Sequence, residues 1–183
     1  MEFVDCALSG LKIIRPQVFC DERGYFFEEY RKTLFAQHGI DVEFVQGNIS
    51  FSKKGVLRGL HFQSDPGQAK LVSCVQGEVW DVAVDIRPHS ATFMQWEATC
   101  LDDRSHEMFY IPIGFAHGFV VLSETAQVCY KVSATYNPAT ECAIRWNDPD
   151  LNVAWPVDHP ILSPRDQNCP LFKEMFYVLD HRR

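Results

Sequence analysis

The chain has 183 residues, 46% of them apolar, which is long enough and apolar enough to bury one sizeable core. Its net charge of −7, without a block of like charges, excludes the basic footprint of a protein that binds nucleic acid or an anionic membrane. We therefore predict no nucleic-acid or membrane partner, and an anionic ligand would have to be held by local cations.

The cysteines and the N-terminal residues indicate a cytoplasmic protein. The seven cysteines are an odd number and show neither a Cys-x-x-Cys pair nor a metal-ligand spacing, so we expect reduced thiols. Glu2 and Asp5 stand where a signal peptide needs basic residues followed by an apolar run. No window of the sequence approaches the ~20 apolar residues of a membrane span.

Short alternating segments separated by glycine and proline predict an all-β sandwich or barrel with few short helices. One helix is predicted at 31–38, where Gly39 stops it, and another at 170–180. Tyr130 falls on the apolar face of a predicted strand. No repeat or linker interrupts the pattern, so we predict one domain over 1–183 with an N-terminal strand or arm. The clearest strands, with a period of two, are 78–86, 95–101 and 126–132.

A turn signal separates two further predicted strands. Residues 64–69 contain Asp-Pro-Gly, which is typical of a tight chain reversal. We therefore predict a hairpin between the strand that carries His61 and the strand at 70–75. This pairing would put His61 and Lys70 on neighbouring strands.

Two segments resemble the strand motifs of cupins without their metal ligands. In the usual motifs, three histidines and a glutamate surround a divalent ion. Here Gln63 replaces one histidine and Lys70 stands where the glutamate is expected, and a cation disfavours a bound metal. We therefore predict no metal, and the remaining His61, Lys70 and His117 suit proton transfer beside a carbonyl. The two segments are 55–63 and 111–119.

Seven segments spread over nearly the whole chain carry a resemblance to a known family, in the order 19–28, 44–48, 55–63, 77–85, 111–119, 146–148 and 162–166. In these segments the chain resembles the dTDP-4-dehydrorhamnose 3,5-epimerase family. This resemblance implies a double-stranded β-helix (cupin jelly roll) that works without a cofactor. It also implies a homodimer with shared active sites, which inverts C3 and C5 of a dTDP-4-keto-6-deoxyhexose. The expected reaction converts dTDP-4-keto-6-deoxy-D-glucose to dTDP-4-keto-L-rhamnose.

The resemblance gives four residues catalytic roles. His61 would be the base, with Asp166 behind it, Tyr130 the acid on the opposite face of the sugar, and Lys70 the cation at the enolate oxygen. Each residue also has a structural reading when taken alone. Tyr130 would be a core tyrosine, Lys70 a solvated edge residue, and Asp166 part of a helix start at Ser163.

The resemblance also implies a set of substrate-binding residues. Arg58 and Arg23 would clamp the diphosphate, for which planar guanidinium groups are suited. In a regular strand Arg58 would face away from His61, so we predict a bulge at Gly59 that turns both into the site. Arg23, Phe26 and Glu28 would come from the partner subunit. The other expected binding residues are Gln46, Asn48, His117, Tyr136, Glu141 and Arg165.

Four departures from the family's usual residues keep alternatives open. Three are Gly47, Ile49 and Ala69, and the fourth is the segment 134–136, which keeps one of two frequent aromatic residues. A monofunctional C3- or C5-epimerase of a related nucleotide 4-keto sugar would have a similar sequence. A non-catalytic module that binds nucleotide sugars would keep Arg23 and Arg58 but would have no need for the four catalytic side chains together. A metal-dependent cupin enzyme is disfavoured by Gln63 and Lys70.

Overall fold

The computed structural model describes residues 1–175 and consists mainly of two antiparallel β-sheets that face each other. One sheet has the order β1-β2-β10-β7-β12-β5 and the other β13-β6-β11-β8-β9, while β3 and β4 form a separate ribbon. The predicted all-β double-stranded β-helix is confirmed. The strands in chain order are β1 (Glu2–Asp5), β2 (Lys12–Arg15), β3 (Phe19–Asp21), β4 (Gly24–Phe26), β5 (Gln46–Lys53), β6 (Leu57–Gln63), β7 (Lys70–Gln76), β8 (Glu78–Asp85), β9 (Trp96–Asp102), β10 (Met108–Ile111), β11 (Phe115–Val121), β12 (Thr125–Val132) and β13 (Glu141–Ala143).

The alternation of side chains on β8 shows how the core is built. Val79 and Ala83 point into an apolar cluster between the sheets, whereas Val82 and Val84 join a second cluster on the outside of the five-stranded sheet. Phe109 of β10 is fully buried in the inner cluster, and burial of such a side chain contributes roughly 1.5–3 kcal/mol. The three strands predicted from their period of two, β8, β9 and β12, are confirmed.

Helices are short and peripheral. The first prediction is confirmed by α1 (Lys32–Gln37), after which Gly39 takes a φ of +81°. A second helix, α2 (Pro164–Gln167), begins after the N-cap Ser163. Of the helix predicted at 170–180, residues 172–175 are helical, 170 and 171 are not, and 176–180 lie outside the described residues. Up to residue 175, the structure has no helix of the length and apolarity needed to cross a bilayer.

The predicted hairpin between the strands of His61 and Lys70 is wrong. Strand β6 pairs with β11 and β13 in the five-stranded sheet, and β7 pairs with β10 and β12 in the six-stranded sheet. The turn at 64–69 therefore carries the chain from one sheet to the other. His61 and Lys70 face each other across the interior, where Lys70 Nζ donates to the His61 carbonyl oxygen at 3.2 Å.

A bulge on β6 sets the direction of two side chains. His117 lies opposite His61 and Phe119 opposite Arg58, so three steps on β6 match two on β11. Gly59, inside this irregularity, has a φ of +137°, a backbone region that L side chains rarely adopt. Both Arg58 and His61 therefore face the space between the sheets, and the predicted bulge is confirmed.

We expect Gly59→Ala to destabilise the protein more than a substitution at another left-handed glycine. A Cβ on Gly59 would lie 2.6 Å from the Gly118 Cα, so the cost combines backbone strain with steric overlap, about 3 kcal/mol or more. Gly39→Ala is the matched control, because its Cβ would meet nothing within 4 Å and only about 1–2 kcal/mol of strain remains. Denaturant unfolding of both variants measures the difference, and equal losses would contradict the steric argument.

Candidate active site

Side chains from both sheets converge at one end of the interior. On β6, His61 and Gln63 share the inner face. From the other sheet, Lys70 lies on the inner face of β7 and Tyr130 on the inner face of β12. Since the strands are rigid and pair in fixed register, these groups are held in place by the fold itself rather than by mobile loops.

His61 and Asp166 form a short, partly buried pair. The Nε2 atom of His61 lies 2.6 Å from Asp166 Oδ1, and the His61 side chain remains 28% exposed. Its other ring nitrogen, Nδ1, has no hydrogen bond to any residue among 1–175, which leaves it available for proton transfer. A carboxylate in this position fixes the ring orientation and stabilises an imidazolium.

Asp166 reaches this position through the start of α2. Its backbone N–H donates to Ser163 Oγ at 3.1 Å, and the Ser163 hydroxyl donates to Asp166 Oδ2 at 2.8 Å. Burial raises the pKa of Asp166, but the hydrogen bonds from His61 and Ser163 outweigh it and hold the pKa below its usual range. The residue therefore belongs to the helix start and also contacts His61.

Lys70 is a buried cation. The residue is only 7% exposed, and burial lowers its pKa to about 8, against the opposing influence of Asp81 and Glu141. The sequence reading of Lys70 as a solvated edge residue is wrong, because β7 is flanked on both sides by β10 and β12. A positive charge is thus placed a few ångströms from the backbone of His61.

Sequence reasoning missed Asp81. The residue is fully buried on the inner face of β8, and its two carboxylate oxygens lie 2.9 and 3.0 Å from His117 Nε2. Burial lowers the pKa of His117 although Asp81 acts to raise it, and the neighbouring Lys70 lowers it further. A charged residue between Val79 and Ala83 was a visible signal, although the pattern of one strand gave no indication of its partner.

Tyr130 and Arg58 lie on facing inner surfaces. Tyr130 packs against the inner apolar cluster, as its position in the period predicted, and burial raises the pKa of its hydroxyl while Arg58 lowers it. Arg58 Nε donates to Ser52 Oγ on β5 at 3.0 Å. The guanidinium group therefore points toward the same interior as His61.

The expected binding residues of one chain form a connected group around this interior. Gln46 Nε2 donates to Asn48 Oδ1 at 2.8 Å, and Gln46 Oε1 accepts from the Tyr136 backbone N–H at 2.9 Å. Arg165 Nη1 donates to Glu141 Oε2 at 2.7 Å, and the nearby Glu141 raises the pKa of the Tyr136 hydroxyl. The amide of Gln46 is thus engaged within the protein, although the resemblance assigned it to the substrate.

Arg23, Phe26 and Glu28 are not brought to this interior within one chain. Arg23 contacts Asp21 in the β3–β4 ribbon, Glu28 contacts Arg31, and Phe26 is 71% exposed. The chain that follows the ribbon crosses the outer face of the six-stranded sheet. There, Lys131 donates to Glu29 from the side of β12 opposite Tyr130.

The described residues, 1–175, contain no group of three or more His, Cys, Asp or Glu side chains that is arranged to hold a metal ion. His61 and His117 are instead bound to different aspartates, Asp166 and Asp81. Gln63, which replaces the motif's other histidine, has both ends of its amide hydrogen-bonded to a neighbouring loop.

Comparisons with known proteins agree with this geometry. A family model described as dTDP-4-dehydrorhamnose 3,5-epimerase matches residues 5–174. The enzyme of that name from Methanothermobacter thermautotrophicus is 45% identical over 94% of this chain and 95% of the relative. The crystal structure of a Legionella pneumophila dTDP-6-deoxy-D-glucose-3,5-epimerase in complex with dTDP-4-keto-L-rhamnose has a TM-score of 0.94 at 44% identity, covering 97% of this chain and 96% of that one.

One relative has a narrower name. A Streptomyces niveus dTDP-4-dehydrorhamnose 3-epimerase is 44% identical, over 91% of this chain and 82% of the relative. A relative whose name specifies epimerisation at C3 alone is therefore about as similar in sequence to this chain as a 3,5-epimerase. On the extent of the family match and the identity to its members, the chain belongs to the dTDP-4-dehydrorhamnose 3,5-epimerase family.

Proposed function

We propose that this protein inverts C3 and C5 of dTDP-4-keto-6-deoxy-D-glucose and produces dTDP-4-keto-L-rhamnose. The observation that carries the proposal is the His61–Asp166 pair, which faces the interior beside the Lys70 cation and Tyr130. A base, a buried cation and a phenol in one cavity are the groups that proton exchange beside a carbonyl requires. The naming of the relatives supports the same reaction.

In the proposed mechanism, His61 removes a proton from the carbon next to the C4 carbonyl. The electron pair of the C–H bond becomes the C=C bond of an enolate, and the carbonyl oxygen takes the negative charge. Lys70 stabilises that oxygen, while Asp166 stabilises the imidazolium. Tyr130 then donates a proton to the opposite face of the carbon, which inverts it.

We propose that this reaction needs no metal ion, because Lys70 supplies the positive charge and the amide of Gln63 is occupied by the loop. Arg58 would bind the diphosphate from within the chain. Arg23, Phe26 and Glu28 would complete the site of the partner subunit in a homodimer, which is supported by their position on the outer ribbon. The seven free cysteines support the cytoplasmic location.

The second candidate function is inversion at one carbon only, and the similarity to the 3-epimerase supports this alternative. The two functions differ in how the ring is presented to His61 and Tyr130, not in the chemical groups. A binding module without catalysis explains Arg58 and Tyr136 but leaves the buried Lys70 and the His61–Asp166 pair without a role.

We expect deuterium at both C3 and C5 when the protein acts on dTDP-4-keto-6-deoxyglucose in deuterated buffer. Each inverted carbon passes through an enolate and takes its new proton from solvent, so NMR of the sugar reports which carbons reacted. Coupling to a reductase would trap the product. Label at one carbon would establish the monofunctional reaction, and label at neither, despite dTDP-sugar binding, would overturn the proposed function.

The same experiment tests the role of Tyr130. We expect Tyr130→Phe to retain exchange of the carbon-bound hydrogen with solvent, while inversion slows by about 10²–10⁴-fold.

We expect kcat/KM to fall as the pH rises through about 8. The active form of Lys70 carries the proton, and its pKa is lowered to about 8, so the charge at the enolate oxygen is lost above that pH. Lys70→Arg should move this descending limb beyond pH ~10, because guanidinium stays protonated, although altered geometry lowers the rate. The matched control is Lys53→Arg at an exposed position of β5, which should leave the limb unchanged. An unmoved limb in Lys70→Arg would assign the titration to another group.

We expect subunits to complement each other if the site is shared. In a dimer of one Arg23→Ala chain and one His61→Ala chain, one site combines the intact His61 with the intact Arg23 of the partner subunit. Random assortment should then restore roughly a quarter of wild-type activity. A mixture of His61→Ala with Asp166→Ala is the control, because both residues belong to the same chain's site and no intact site can form. Mixed dimers without recovery would contradict the shared site.

A further inference from the structure

The Gln63 side chain takes no part in the proposed proton transfers. It lies on the inner face of β6 two residues after His61, and it is only 7% exposed. Its Nε2 donates to the Thr135 carbonyl oxygen at 3.2 Å, and its Oε1 accepts from the Asn137 backbone N–H at 3.3 Å. One amide therefore holds the backbone on both sides of Tyr136.

The loop that contains Tyr136 has no regular secondary structure and depends on such side-chain contacts. Residues 133–140 follow β12 as bends and turns, and Thr135, Tyr136 and Asn137 are exposed. The loop is also held by Gln68 Nε2, which donates to the Ala134 carbonyl oxygen at 2.8 Å. Because water can satisfy the exposed backbone groups, loss of a tether would free the loop without unfolding the sheets.

The tethered loop presents an aromatic ring next to a charged pair. Tyr136 is 55% exposed, and Glu141, which accepts from Arg165, raises the pKa of the Tyr136 hydroxyl. Glu141 lies directly opposite Gln63 on the paired strand β13. A large exposed ring in a fixed position is suited to stacking on a planar base, because less conformational freedom is lost on binding.

We propose that Gln63 is a positioning residue that fixes the ring of Tyr136 as a wall for the base of a nucleoside diphosphate. The inference rests on the proposed function and deepens it. Glutamine suits the position because it offers one donor and one acceptor, which match the Thr135 carbonyl and the Asn137 N–H. The residue that replaces a metal ligand in the motif thus serves binding of the nucleotide.

Gln63→Met tests this role, since it keeps much of the buried volume and removes both hydrogen bonds. We expect the Kd of dTDP, measured by calorimetry, and the KM of the dTDP-sugar to rise about tenfold while kcat stays within about twofold. Gln63→Ala provides a second variant if methionine packs poorly. Gln76→Met, at an exposed position on β7, is the matched control and should leave all three constants unchanged. Thermal unfolding checks that each variant is folded.

A double-mutant cycle with Tyr136→Ala separates positioning from a general structural role. If Gln63 acts through Tyr136, Gln63→Met should add little to the loss in Kd caused by Tyr136→Ala. Additive losses, an unchanged Kd in Gln63→Met, or a fall in kcat alone would overturn the inference. Failure of the wild-type protein to bind dTDP would instead overturn the proposed function, so the two failures are distinguishable.

Discussion

The burial of the Lys70 ammonium group between two sheets is the constraint on which the rest of the site depends. A buried cation without partners costs several kcal/mol, so the fold must supply compensating groups. The His61 carbonyl oxygen accepts a hydrogen bond from it, and Asp81 and Glu141 favour its charged form. These partners come from β6, β8 and β13 of the opposite sheet. Three strands therefore each supply a polar group that compensates the burial of one lysine.

Burial separates the properties of two histidines that are direct neighbours, and the same cation adds to the difference. His61 and His117 are paired across β6 and β11, and each contacts its own aspartate. His117 is 6% exposed, and burial together with Lys70 lowers its pKa, so it stays neutral and fixed. His61 retains an accessible ring beside Asp166. Only one of the two is therefore placed to exchange a proton with a bound molecule.

The sequence predicted the parts of the fold that depend on local patterns. The period of two located β8, β9 and β12, and the bulge at Gly59 followed from the resemblance, which places Arg58 and His61 in the same site. The hairpin prediction failed because a turn signal reports that the chain reverses, not which sheet it enters. The acidic group behind His117 was missed because its interaction joins two strands far apart in sequence. The alternation of side chains along one strand does not predict which residue of another strand such a group will contact.

The engagement of Gln46 and Gln63 with the loop could not be predicted for a related reason. Both amides bind backbone atoms of 133–140, a segment whose course follows no period. The proposed catalytic residues His61, Lys70 and Tyr130 lie on strands in fixed register, whereas several of the proposed nucleotide-binding residues lie in loops and in the ribbon. Local sequence patterns predict the strands. The course of the loops and of the ribbon depends on side-chain contacts, which no local pattern encodes.

Three of the four departures from the family's usual residues lie on or beside the six-stranded sheet. Gly47 and Ile49 lie on the outer face of β5, since Gln46 and Asn48 occupy the inner one, and Ile49 is 72% exposed. Ala69 is fully buried in a separate apolar cluster with Leu71, outside the interior that holds His61. These three departures therefore change the surroundings of the sheet rather than the inner face that carries His61 and Tyr130. In the proposed homodimer, the choice between one and two inverted carbons would depend on how the loop at 133–140, which holds the fourth departure, and the partner's ribbon orient the ring.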